Sequence, residues 1–121
     1  RKRDAAATVP RIAYDGTTIT RDAFGNALGG IRLSEHAIAT AENSATNRPA
    51  DASPGSFFCG LFATHVPFTA EQLATLYRNH GRYVSQVAQA NTANVKAGFL
   101  LSADGEESTA NAAESGVGKR Q

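Results

Sequence analysis

The large apolar residues of this chain fall in three clusters, Phe57–Phe68, Leu73–Val87 and Val95–Leu101, with Ala-rich and polar stretches between them. The clusters differ in period. From His80 or Gly81 to Ala97 the spacing is helical: Tyr83, Val84, Val87, Ala88, Asn91 and Val95 share one stripe, and Arg82, Ser85, Gln86, Gln89 and Lys96 face away from it. Gly98 suits the end of that helix. Upstream, Thr69-Ala70-Glu71-Gln72 reads as a capping box flanked by Phe68 and Leu73 as a hydrophobic staple. It predicts a helix running to about Arg78 and broken at Asn79-His80-Gly81. After Phe99-Leu100-Leu101, Ser102 is expected to cap a short third helix with Asp104, Glu106 and Glu107 in its first turn.

The first half has no helical period. Residues 1–9 read as a flexible arm ending at Pro10. Arg11–Asp15 and Thr17–Thr20, on either side of Asp15-Gly16, predict a short β-hairpin. The block Arg21–Leu33 is too rich in Gly for a regular helix and reads as a shaped loop running into a strand. Ser34–Ser56 is polar, with turn signals at Asn47-Arg48-Pro49 and Ser53-Pro54-Gly55, and reads as an exposed connection. Phe57–Phe68 follows as an extended apolar segment ending at Pro67.

Composition makes a self-sufficient core doubtful. Much of the 41% hydrophobic fraction is Ala, and Trp and Met are absent. At about 25 cal/mol per Å² of buried apolar surface, Ala contributes little against an ordering cost of roughly 1–2 kcal/mol per residue. The charge balance of +1 argues against disorder driven by charge. The chain therefore reads as a segment ordered by packing on something else, and alone it is expected to be largely unfolded. The same balance argues against nucleic-acid binding, since Arg1-Lys2-Arg3 is too short for a basic patch. No stretch reaches the roughly 20 apolar residues of a membrane span. Arg1-Lys2-Arg3 and Lys119-Arg120 suggest proteolytic processing at basic sites.

No catalytic constellation is complete. The G-x-S-x-G elbow that exposes a nucleophilic serine is missing, since Gly55-Ser56-Phe57-Phe58 lacks the second Gly. Cys59 lies among Phe57, Phe58, Leu61 and Phe62, a poor setting for a thiolate. As a lone Cys it reads either as a buried small hydrophobe or, in a secreted protein, as one half of an interchain disulfide. His36, His65 and His80 lack metal-ligand spacing, and no cofactor is expected. His65 ends an apolar run and is the histidine best placed to reach a cleft, while His80 at the helix break is expected to donate to a terminal carbonyl of the preceding helix. The block Gly25–Gly30 lacks the spacing of a phosphate loop, and the strand expected after it argues against nucleotide binding. Its glycines suit close backbone approach, with Asp22 and Asn26 bonding locally and Arg32 pairing with a carboxylate on the missing part of the protein.

Arg21-Asp22, Gly25-Asn26-Ala27-Leu28-Gly29-Gly30-Ile31-Arg32, Phe58-Cys59-Gly60-Leu61-Phe62, Val66-Pro67-Phe68, Leu73, Leu76-Tyr77, His80, Tyr83-Val84 and Ala97-Gly98-Phe99-Leu100-Leu101 occur in an order that resembles the C-terminal region of an α/β-hydrolase-domain family. The resemblance covers about residues 21–104 and departs at Ser34-Glu35-His36 and at Arg78. It implies an α/β fold in which residues 10–113 form the C-terminal part of one hydrolase domain; residues 114–121 read, from the sequence itself, as a frayed tail. It also implies a secreted serine hydrolase of ester or amide bonds, esterase-like, whose nucleophile and catalytic His lie upstream. On that reading no catalytic residue lies in this chain. Asn26, Gly29, Gly30, Arg32 and His65 are the candidates to touch a small-molecule substrate, and Cys59 is the candidate link to an upstream chain in a heterodimer. The alternative is a stand-alone binding or structural module that recruits a protein partner through its apolar helix stripe.

Overall fold

The computed structural model describes residues 8–45, 58 and 60–119. Most of the N-terminal arm, the turn signals between 46 and 57, and Cys59 lie outside the described residues.

The predicted hairpin forms. β1 (Tyr14–Asp15) pairs antiparallel with β2 (Thr18–Ile19), Tyr14 opposite Ile19 and Asp15 opposite Thr18. That register leaves Gly16-Thr17 as a two-residue loop, and Gly16 supplies the positive φ of 58° that such a tight connection needs. The Gly-rich block then folds back along the hairpin. Ala13 N–H donates to Leu28 O at 2.9 Å, Leu28 N–H to Thr20 O at 2.8 Å and Gly30 N–H to Arg11 O at 2.8 Å. Gly29 permits this approach: its φ is 70°, and a Cβ there would stand 2.5 Å from Arg11 O and 2.6 Å from Ala13 N.

The strand expected after the block is not there. Ile31–Leu33 carries no ladder and turns into a one-turn helix, α1 (Ser34–Ala37). The reason lies in Arg32, whose guanidinium reaches back to Asp22 and also donates to His36 O, so the chain is drawn around its own side chain. Nor is 34–45 an exposed connection. Ser34, Ala39 and Ala41 are all buried, and β3 (Ala41–Ser44) follows. Alanine and serine gave no sequence signal of burial because each covers so little area.

β3 pairs antiparallel with β4 (Thr64–Pro67), the only strand in the described part of the apolar segment expected to be extended over Phe57–Phe68. Phe68 N–H donates to Thr40 O at 2.9 Å, so the hydrogen-bonded pairs alternate from there through Glu42–Val66 to Ser44–Thr64. Pro67 stands opposite Ala41 in a position whose N–H would point away from β3, so its missing donor costs the ladder nothing.

Three longer helices complete the chain. α2 (Ala70–Leu76) starts at the predicted capping box: Gln72 N–H donates to Thr69 Oγ1 at 3.2 Å and Thr69 N–H to Gln72 Oε1 at 2.8 Å. It stops two residues short of Arg78, because Asn79 caps the next helix by accepting from Arg82 N–H at 2.9 Å. α3 (His80–Lys96) has the predicted stripe, with Tyr83, Val87 and Asn91 buried. It ends in a Schellman motif in which Gly98 N–H reaches Val95 O at 3.0 Å and Phe99 N–H reaches Asn94 O at 2.9 Å.

α4 (Ser102–Glu114) runs for 13 residues, so it is not short, and Leu101 rather than Ser102 occupies its cap position. It packs along α3 around Tyr83, Val87 and Ala112, with Gly105 letting the helices close to where an added Cβ would meet Val95 and Leu100 at 3.2 and 3.4 Å. Tyr77 meets Tyr83 edge-on at 4.9 Å and donates its hydroxyl to Ala39 O at 2.6 Å, joining this core to the sheet side. Residues 115–119, expected as part of a tail, are held by the same core. Val117 packs against it, and the His80 ring faces Val117 O at 2.7 Å through Nδ1 and Ala113 O at 3.0 Å through Nε2. His80 thus bonds to the last turn of α4 and to the chain just beyond it, and not to α2. Two carbonyl acceptors both receive a proton only when the imidazole carries one on each nitrogen.

Candidate functional site

The sequence-predicted site residues gather around the Gly-rich block, and most are occupied in holding it. Asp22 accepts from the amides of Phe24 and Asn26, each at 3.0 Å, and from Arg32 Nη2 at 2.7 Å. Burial pushes its carboxyl pKa upward, but the Arg32 hydrogen bond, the two backbone amides and the Arg32 charge outweigh that and hold it below the ordinary aspartate value. Arg32 is therefore committed within the chain; the carboxylate it was expected to find elsewhere is Asp22. Its carbonyl receives Asn94 Nδ2 from α3 at 3.0 Å, so one residue ties the loop to the helices.

Asn26 is fully buried and does not reach a cleft. Its Nδ2 donates to Ala41 O at 3.0 Å and its Oδ1 accepts from Asn43 N–H at 2.7 Å. Both are backbone groups of β3 that point away from β4, so the side-chain amide stands where a third strand would pair. Gly29 and Gly30 lie against Arg11–Ala13 and make room for backbone there, with no side-chain chemistry to offer a substrate.

His65 is the exposed member of the set. It sits on β4 opposite Asn43 in a non-hydrogen-bonded pair, where side chains come closest, and its Nδ1 lies 2.6 Å from Asn43 Oδ1. An amide oxygen only accepts, so Nδ1 is the donor and the neutral ring keeps an acceptor lone pair on Nε2. Asn43 was missed by sequence reasoning, because only the β3–β4 register places it beside His65. Asn26, Asn43 and His65 thus form one hydrogen-bonded series, with Asp22 and Arg32 behind it, whereas the glycines serve the hairpin. Cys59 lies outside the described residues.

Elsewhere a groove of about 440 Å³ runs between α1, α3 and α4, with Glu35, Asp104 and Glu107 on its walls. Among the described residues no cluster of three or more His, Cys, Asp or Glu could hold a metal, and no helix is long and apolar enough to cross a membrane. The described Ser, His and acidic residues include no G-x-S-x-G serine, because the sequence has none.

A family model described as an alpha/beta hydrolase domain matches residues 1–110, a wider span than the motifs at 21–104. No curated protein and no solved structure matches the chain.

Proposed function

The chain belongs to the alpha/beta hydrolase domain family, and from that premise we propose that it is the non-catalytic C-terminal part of a serine hydrolase cleaving ester or amide bonds. One observation carries the reading: a hydrolase domain of this kind carries its serine in a G-x-S-x-G elbow, and the sequence of 121 residues contains no such motif. The nucleophile, the catalytic His and its acid belong on this reading to an upstream part of a secreted protein. This chain supplies the wall of the domain around them. With Asn26, Gly29, Gly30 and Arg32 engaged internally, His65 remains the side chain of this chain available to a small ester or amide substrate. Its free Nε2 accepts a hydrogen bond from a substrate hydroxyl or amide. Cys59 is the candidate disulfide to the upstream part.

Hydrolysis of a panel of short-chain nitrophenyl esters and anilides tests the proposal. Turnover is expected from the intact protein and none from residues 1–121 alone. Turnover by the isolated chain would overturn it, and so would a complete lack of turnover and of serine-directed labelling in the intact protein.

A further inference from the structure

The exposed large apolar side chains are concentrated before Pro67. Ile12, Tyr14, Ile31, Leu61, Phe62 and Val66 each keep between 42% and 66% of their surface open, whereas Tyr83, Val87 and Ala112 of α3 and α4 are buried against each other. Only Leu76 and Leu101 are comparably exposed large apolar residues beyond Val66. We infer that the hairpin, the Gly-rich loop and the 60–67 segment together form the surface that seats on the rest of the same hydrolase domain, with the α3–α4 pair turned outward. This rests on the reading that the catalytic part of the domain lies upstream in the same protein.

Three observations support that occupant. First, at roughly 150–200 Å² per large side chain, the six open fractions amount to about 600 Å², most of the ≈ 800 Å² per partner that a stable interface buries. That is at the upper end of the roughly 300–600 Å² of the largest apolar patch on a typical monomer, and such patches are often functional. Second, these elements are one unit. The Ile12–Gly29 bridge joins hairpin to loop, and the Asn26 amide joins loop to β3, so the side chains are presented together on a braced frame.

Third, among the described residues the outer edge of β4 has no strand beside it. Asn26 occupies the outer edge of β3, while the alternation of the ladder turns the N–H and C=O of His65 on β4 away from β3, with no partner for them among the described residues. An α/β hydrolase body offers what such an edge and its apolar neighbours accept: extended backbone with apolar side chains. The exposed faces of α3 and α4 carry Arg82, Lys96, Glu106 and Glu107, which suit water.

Hydroxyl-radical footprinting of the intact protein, with each residue compared with itself in denaturant, tests the inference. Labelling of Tyr14, Leu61 and Phe62 is expected to be lost on folding while Leu101 continues to label. Equal labelling of Phe62 in the folded and denatured protein would overturn the assignment. So would a native mass showing a dimer that the double substitution L61D/F62D splits, because the occupant would then be a second copy. Ester turnover measured on the same sample separates the two readings: an active protein with Phe62 labelled sinks this inference alone, and an inactive protein with Phe62 covered sinks the hydrolase reading alone.

Discussion

Asn26→Ala is the substitution through which the frame is most exposed to measurement. The side chain is fully buried and satisfies two backbone groups, Ala41 O at 3.0 Å and Asn43 N–H at 2.7 Å. Alanine leaves both unpaired. A buried orphan costs about 1–3 kcal/mol; Ala41 is almost fully buried and takes the upper part of that range, while half-buried Asn43 admits some water and takes the lower. The expected loss is about 2–4 kcal/mol, read from denaturant unfolding of the intact protein, together with faster exchange of the Asn43 amide. Asn26→Asp keeps the shape and the acceptor for Asn43 but sets an oxygen against Ala41 O. A buried carboxyl favours its neutral form, which can donate to Ala41, so N26D is expected to recover stability as pH falls, whereas N26A does not. A loss from N26A under about 0.5 kcal/mol, with Asn43 still protected, would refute the view that this amide stands in for a neighbouring strand.

Three further outcomes are expected. Burial first, and then the neighbouring Tyr83, raise the Tyr77 pKa from 10.0 to about 12, so the fold favours the neutral phenol; its contribution is complete below pH 10 and is lost as pH rises toward 12, a loss that Tyr77→Phe removes from an alkaline unfolding profile. The depressed Asp22 pKa has the opposite sign: its contribution is present above the ordinary value of 3.8 and is lost as pH falls through the lower folded value, so Asp22→Asn flattens the acid limb of the same profile. Gly29→Ala forces a Cβ to 2.5 Å from Arg11 O, whereas Gly16→Ala meets nothing within 4 Å; a thermal shift for G29A several times that for G16A is expected, and equal shifts would contradict the close approach.

What the sequence made legible was set by local chemistry. The capping box at Thr69, the α3 stripe, the Gly98 terminus and the Gly16 turn each depend on residues within a few positions of one another, and all four are where the pattern puts them. The failures are contacts at long range. Nothing near Ser34–Ala45 signals that Ala39 and Ala41 are buried, because Asn26 and Tyr77, the residues that bond to their carbonyls, come from other elements. Asp104, Glu106 and Glu107 marked the start of α4, but its length follows from packing of Gly105 and Ala112 on α3, which no single-residue propensity records. At the site, Asn26 and Arg32 stand out by motif, but the burial of Asn26 and the pairing of Arg32 with Asp22 do not. His65 was recognised, but Asn43, which orients it, depends on a strand register.

The central claim is that the reacting serine lies outside this chain, and the position of a covalent adduct tests it most directly. A fluorophosphonate, which phosphonylates an activated serine with loss of fluoride, should label the intact protein once, and peptide mapping should place the adduct on no residue between Arg1 and Gln121. An adduct on any serine within these residues, such as Ser56 or Ser44, would contradict the account.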